Sequence, residues 1–292
     1  MIGERRATVR CPFEEGDDLN MNTTRRTLAK TVLTSIRNRG LRPSDAPDHR
    51  GGSDSLLVAS YNVHKCVGTD KKFDPARIID VICEIRPDVM ALQEADERFG
   101  ERSGLLDLNR LKHETGLIPV PVETQPKSHG YHGNLLLFRE GAIHAVHQLK
   151  LPGLEPRGAV FADIEMERGG AIRIVASHFG LMRWARRQQV DRILDLLAGF
   201  DDRPTVMMGD FNEWRLGNGS ALRRLEQHFG PLPQPVPSFP ARMPVFSLDR
   251  IIGNRTGLVG DVIVHDTPLA RVASDHLPIT AKVELGTTGR GR

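Results

Sequence analysis

Cysteine is scarce. Three residues in 292 (Cys11, Cys66 and Cys83), with no C-x-x-C pair, supply neither a disulfide framework nor the ligand spacing of a zinc ribbon. Long apolar runs are missing too: none approaches the ~18 residues of a membrane span, which leaves no candidate transmembrane helix. Two tyrosines and two tryptophans make a poor stacking platform for single-stranded nucleic acid. No internal repeat is visible, so a solenoid is excluded. Net charge is small, with 40 Lys+Arg against 37 Asp+Glu. Residues 1–50 hold ten basic and seven acidic residues, the whole excess of +3, so residues 51–292 carry 30 of each. A strongly basic, nucleic-acid-binding body is not what this balance describes.

What is present divides into an extension (1–54), a body (55–286) and a short tail expected to be disordered (287–292). Within the extension, Leu28, Val32 and Ile36 recur every four residues, widened by Ala29 and Leu33, and predict a helix over 23–39. Six basic residues and no acid fall between Met21 and Ser44, and Gly40 and Pro43 end the helix. Two readings stand: a helix packed on the body or left in solvent, or a basic amphipathic segment that meets an anionic membrane surface. Thr24–Lys30 resembles a twin-arginine export signal, but the following residues are too short and polar for its apolar region. The expected location is therefore cytoplasmic, peripheral to the membrane on the second reading. Residues 43–54 have the composition of a linker.

Short β-rich runs alternate with helical segments through the body. Strands are expected at 56–63, 88–94, 134–139, 143–149, 159–166, 171–179, 205–210, 246–252, 259–265 and 279–285, and helices at 75–86 and 183–197. The four runs between 134 and 179 read as consecutive antiparallel strands, with a tight turn at Gly169-Gly170. Many strands with few helices imply a layered α/β sandwich.

Polar residues collect at the ends of these strands: Asn62, Glu94, His178, Asp210 with Asn212, Asp249, and Asp275-His276. Each alone has a plain structural reading: a turn cap for Asn62, a solvated strand end for Glu94, a satisfied strand histidine for His178. Asp210–Asn212 can be an Asx-turn, Asp275 a cap before Pro278, and Asp249 a partner of Arg250. Together, several carboxylates, an amide and two histidines at one sandwich edge suit a magnesium-type site, because that ion takes oxygen ligands and keeps waters. No His/Cys cluster suggests zinc.

The ordered set SYNVH (60–64), ALQEAD (91–96), GNLLLF (133–138), EPRGAV (155–160), ASHFGL (176–181), GDFNEW (209–214), FSLDRI (246–251) and SDHLPI (274–279) resembles the endonuclease/exonuclease/phosphatase superfamily, which has the fold of deoxyribonuclease I. The resemblance spans residues 56–285 and implies a four-layer α/β sandwich of two mostly antiparallel sheets flanked by helices. It further implies a metal-dependent phosphoester hydrolase, with Mg²⁺ as cofactor and Mn²⁺ as substitute. Carried over, Glu94 is the principal metal ligand, assisted by Asn62 and Asp275. Asp210 orients and deprotonates the attacking water with help from Asn212. His276, oriented by Asp249, contacts the scissile phosphate, and His178 bonds a phosphate oxygen or the leaving group. Asn134 and Arg157 line the cleft and bind substrate.

Superfamily members cleave DNA, RNA, inositol phosphates, sphingomyelin and other phosphoesters. SYNVHK and the Arg-rich helix 183–189 resemble a bacterial branch, some members of which are associated with phospholipid metabolism. That resemblance and the neutral body favour a lipid-linked or small-molecule phosphodiester over a nucleic acid. A catalytically idle, phospho-ligand-binding member is the remaining alternative, against which the complete polar set speaks. The basic cluster Arg183, Arg186, Arg187 and Arg192 is expected to be mostly a solvated helix face, with one or two arginines guiding an anion to the cleft.

Overall fold

The computed structural model describes residues 55–139, 141–167 and 170–285. The extension with its expected helix at 23–39, Gly169 of the expected turn, and the tail lie outside the described residues. Among those described, no helix is long and apolar enough to cross a membrane.

Helix α1 (Pro75–Ile85) forms where the sequence signals converge. The Asp74 carboxylate accepts from the Arg77 amide, Pro75 occupies the first turn, and Ile78, Ile79, Ile82 and Ile85 are buried. Arg86 stops it in the left-handed region, at φ 52°. Helix α2 (Leu108–Thr115) is capped by Asp107 and has no counterpart in the sequence reading, since it buries only Leu111 and Thr115. Helix α3 (Arg183–Leu197) runs as expected.

Two sheets face each other. The first orders its strands β10 (Ile263–Val264), β11 (Ile279–Glu284), β1 (Ser55–Asn62), β2 (Val89–Gln93), β4 (Leu135–Phe138) and β3 (Ile118–Pro119). The second orders β5 (Gly141–Leu151), β6 (Arg157–Met166), β7 (Gly170–His178), β8 (Thr205–Asp210) and β9 (Asp249–Gly253). Helices α1 and α2 cover the outer face of the first sheet and α3 that of the second, so the expected four layers are present. Two expectations are corrected. β4 pairs with β2 in the first sheet, so only β5, β6 and β7 form the consecutive antiparallel run. The strands expected at 246–252 and 259–265 shorten to β9 and the two-residue β10.

The topology positions the site through strand periodicity. Leu56 and Val58 of β1, Ile174 and Ala176 of β7, Val206 and Met208 of β8, and Ile251 of β9 all point into the core between the sheets. Side chains alternate with period two. The same faces therefore carry Asn62, His178, Asp210 and Asp249 into the inter-sheet space at its open edge. The parallel pairs β1/β2 and β7/β8 bring their C-terminal ends to that edge, with His178 opposite Asp210. β9 starts there, with Asp249 opposite Asp210.

Gly209 is the backbone condition for this arrangement. Its φ is +150°, and a Cβ there would lie 1.8 Å from the Ser177 carbonyl oxygen of β7. Gly209→Ala is expected to destabilise the fold by about 2 kcal/mol or more, because two backbones would have to separate. Urea unfolding tests this; an unchanged midpoint contradicts it.

Candidate active site

The edge where both sheets present polar residues opens into a cleft of about 720 Å³. Of the residues singled out by sequence, Asn62, Glu94, Arg157, His178, Asp210, Asn212, Asp275 and His276 line it. Asp249 sits behind His276, 1% exposed, with its Oδ2 2.9 Å from His276 Nδ1. Asn134 needs correction. It is buried and absent from the cleft lining, and its amide donates to the carbonyls of Tyr131 and Gly158, so it ties the entry of β4 to β6.

Asp210 is the node. Its Oδ2 accepts from the Asn62 amide at 3.0 Å, and its Oδ1 accepts from the Asn212 backbone N–H at 2.9 Å. The His178 Nε2 and His276 Nε2 atoms lie 3.4 and 3.8 Å from Oδ2. The carboxylate is 1% exposed, so these groups replace the water it has lost.

The two histidines are held in opposite protonation states. Burial pushes His178 down to about 3, reinforced by Arg157. Arg157 donates to His178 Nδ1 at 2.7 Å, so the neutral ring carries its proton on Nε2, toward Asp210. For His276, burial pulls the same way, but the carboxylates of Asp249, Asp210 and Asp275 outweigh it and raise the group to about 10. Its Nδ1–H donates to Asp249 Oδ2 at 2.9 Å, which leaves Nε2–H facing Asp210 and the cleft.

Two groups compete as cation holders. Ligand atoms of Asp210, Asp249 and His276 fall within 4.8 Å of one another. In that trio Asp249 Oδ2 already accepts from His276 and Ser238, while Asp249 Oδ1 is buried without a partner. Glu94 is the second holder. Its burial alone would raise its pKa, but Lys65, Arg157 and His64 hold the carboxyl below its ordinary value and so ionised. Its Oε2 is buried without an aligned hydrogen bond, although Lys65 Nζ stands at an ion-pair distance of 2.9 Å. Asn62 and Asp275 line the same cleft, and Asn62 Oδ1 accepts from the His64 backbone N–H at 3.0 Å.

The backbone is strained here. His64, Lys65, Glu94 and Asn212 all have positive φ, between 45° and 57°. Such conformations concentrate at functional sites. At Glu94 this turn follows the end of β2 and carries the carboxylate out of the strand's alternation.

Sequence reasoning missed several lining residues. Lys65 lay in the SYNVHK match, and its position directly after His64 was the available signal. Arg98 and Phe239 also line the cleft and carried no pattern of their own, whereas Trp214 and Phe246 lay in the GDFNEW and FSLDRI matches without being singled out. Phe239 packs 4.8 Å from the His276 ring, Trp214 lies edge-on to Phe246 at 6.2 Å, and the Arg215 guanidinium stacks 4.7 Å over Trp214. The Arg-rich helix is also corrected in part. Arg186 is buried, pairing with the buried Glu213 at 3.3 Å and donating to the Gly180 carbonyl. Gln189 bonds the Gly180 amide and the Pro152 carbonyl. Arg187 and Arg192 are solvent-exposed as expected.

The sequence profile described as "Endonuclease/Exonuclease/phosphatase family" matches residues 59–276. The chain is similar to the uncharacterised protein YbhP of Escherichia coli (strain K12), at 29% identity over 254 residues, 79% of this chain and 97% of that protein. It also resembles the structure of an endonuclease/exonuclease/phosphatase from Bacteroides vulgatus, with TM-score 0.60, 18% identity, and coverage of 80% and 99%. A mannosyl-6-phosphatase from Bacteroides thetaiotaomicron shares the fold, with TM-score 0.56, 15% identity, and coverage of 77% and 98%.

The opposed histidines give a direct test. His276, raised, contributes stability that is complete below pH ~6.5 and lost as pH rises through about 10. His178, depressed, contributes stability present above pH ~6.5 and lost as pH falls toward about 3. Imidazole ¹⁵N shifts in the metal-free protein at pH 7 are expected to show His276 doubly protonated and His178 neutral with its proton on Nε2. Identical titration of the two rings contradicts the assignment.

Proposed function

The chain belongs to the endonuclease/exonuclease/phosphatase family, whose members are generally hydrolases of phosphoesters, and from that premise we propose that it is a Mg²⁺-dependent phosphodiesterase acting on a lipid-linked or small-molecule phosphodiester. The observation that carries this reading is the asymmetry of the cleft. Lys65, Arg98 and Arg157 give one stretch of its wall positive charge, and Trp214, Phe239 and Phe246 give another an apolar surface, with Asp210 and His276 also lining it. An anion with one apolar substituent suits such a cleft.

In this reading Asp210 orients the attacking water and accepts its proton. Asn212 and Asn62 fix the carboxylate that does so. His276 offers Nε2–H to the scissile phosphate or the departing oxygen, and Asp249 holds the ring and stabilises its charge. The neutral His178 donates from Nε2 without adding a proton that could be lost at neutral pH. Arg157 neutralises a phosphoryl oxygen. Glu94, with Asn62 and Asp275, would hold the divalent cation, which when bound supplies charge neutralisation at the phosphoryl group. Residues 23–39 are part of the same proposal, as a basic contact with an anionic membrane surface.

One observation favours a second reading. Trp214 and Phe246, with Arg215 stacked on the indole, are groups on which a nucleobase could lie. The fold neighbour named a mannosyl-6-phosphatase makes a sugar monophosphate a third substrate to try.

Turnover of bis(p-nitrophenyl) phosphate, run beside phospholipid, inositol phosphate, sugar phosphate, DNA and RNA, tests the proposal. Hydrolysis is expected to vanish with EDTA and return with Mg²⁺ or Mn²⁺. Glu94→Gln and Asp210→Asn should each lower kcat by ~10²-fold or more while leaving circular dichroism unchanged. Asp249→Asn should cost less than His276→Ala, because it disturbs the ring's orientation without removing the ring. Turnover that survives EDTA, or a His276→Ala enzyme as fast as wild type, overturns the mechanism.

A further inference from the structure

Of the ten large apolar side chains that stand exposed among the described residues, five gather at one rim of the cleft: Leu154, Leu181, Met182, Trp184 and Leu216, each between 44% and 79% exposed. They come from three chain segments that local contacts hold together. The Leu181 amide donates to Glu155 beside Leu154. Gly153 approaches the first turn of α3 so closely that a Cβ there would sit 3.3 Å from Ala185 Cβ. The Arg183 guanidinium donates to the Gly219 carbonyl at 2.9 Å, which ties the start of α3 to the loop carrying Leu216. Exposed apolar groups grouped this way mark an interaction surface.

The charges around them indicate what the surface meets. Arg183 and Arg215 are half-exposed and Arg187 exposed, while the nearby Glu155 is engaged by the Leu181 amide and Arg157. An exposed tryptophan among leucines, fringed by arginines, is the composition of a segment that lies in a membrane interface. Leu181, Met182 and Arg183 also line the cleft, so the patch is continuous with the site.

We propose that this rim docks on an anionic phospholipid surface, seating Leu154, Trp184 and Leu216 at the headgroup–acyl boundary and holding the mouth of the cleft against the bilayer. The inference rests on the lipid-linked reading of the substrate. It assigns membrane contact to the catalytic body, separately from residues 23–39.

Trp184 is its own reporter, since the chain has one other tryptophan. In the full chain carrying Trp214→Phe, emission is expected to shift to the blue on phosphatidylcholine vesicles containing phosphatidylglycerol, and to be quenched by brominated acyl chains. Phosphatidylcholine alone should have little effect, and salt should reverse binding. The triple variant Leu154→Ser, Trp184→Ser, Leu216→Ser, which alters no cleft-lining residue, should lose tenfold or more in vesicle sedimentation with bis(p-nitrophenyl) phosphate turnover unchanged. Unmoved Trp184 emission, or equal sedimentation of the triple variant, overturns the docking. A patch-dependent dimer that buries Trp184 in solution also overturns it, by assigning the surface to a second copy of the chain. The two readings fail separately. Vesicle docking without hydrolysis of any lipid diester defeats the substrate proposal, and diester hydrolysis without docking defeats this one.

Discussion

A buried carboxylate shared by two sheets fixes the geometry of the cleft. Asp210 ends β8 of the second sheet and accepts from Asn62, which ends β1 of the first, at 3.0 Å. With 1% of its surface exposed, it depends on the groups around it for the solvation it has given up. Those groups are the parts of the proposed mechanism: an amide from each sheet, a neutral histidine and a charged one. Moving one sheet against the other would therefore break the cleft's electrostatics before it broke the inter-sheet core.

Neighbouring charges separate the two histidines. Both rings are removed from water, which disfavours the charged form of each. Arg157 against one and three carboxylates around the other then send them in opposite directions. A second buried network supports the loop that follows Asp210. Glu213 accepts from Arg186 and from the Ala221 amide, and Arg250 donates to the Glu213 carbonyl. A charged group removed from this set would leave its partner buried and unpaired, so the loop is held more firmly than its lack of regular structure suggests.

Much of the fold and part of the site were legible in the sequence, because both follow one period. Alternation that fills the inter-sheet core from β1, β7, β8 and β9 also points their polar end residues into the cleft. Asn62, His178, Asp210 and Asp249 could be placed by that rule. Asn134 enters β4 at the same sheet edge, but its amide is spent on the Tyr131 and Gly158 carbonyls. Arg186 read as surface because its partner, Glu213, is 27 residues away and no local pattern announces the pair. Helix α2 escaped because two buried residues make no stripe. The aromatic wall escaped because Phe239 and Phe246 meet across a hairpin that composition does not reveal. Which phosphoester is cleaved lies in such walls and rims, where patterns are weakest.

In the proposed mechanism the cation belongs to Glu94, with Asn62 and Asp275, and Asp210, Asp249 and His276 remain an acid–base group. Anomalous diffraction from crystals grown with Mn²⁺ tests it most directly. One strong peak is expected in contact with the Glu94 carboxylate, with His276 still bonded to Asp249. A peak among Asp210, Asp249 and His276, with Glu94 left on Lys65, would contradict it.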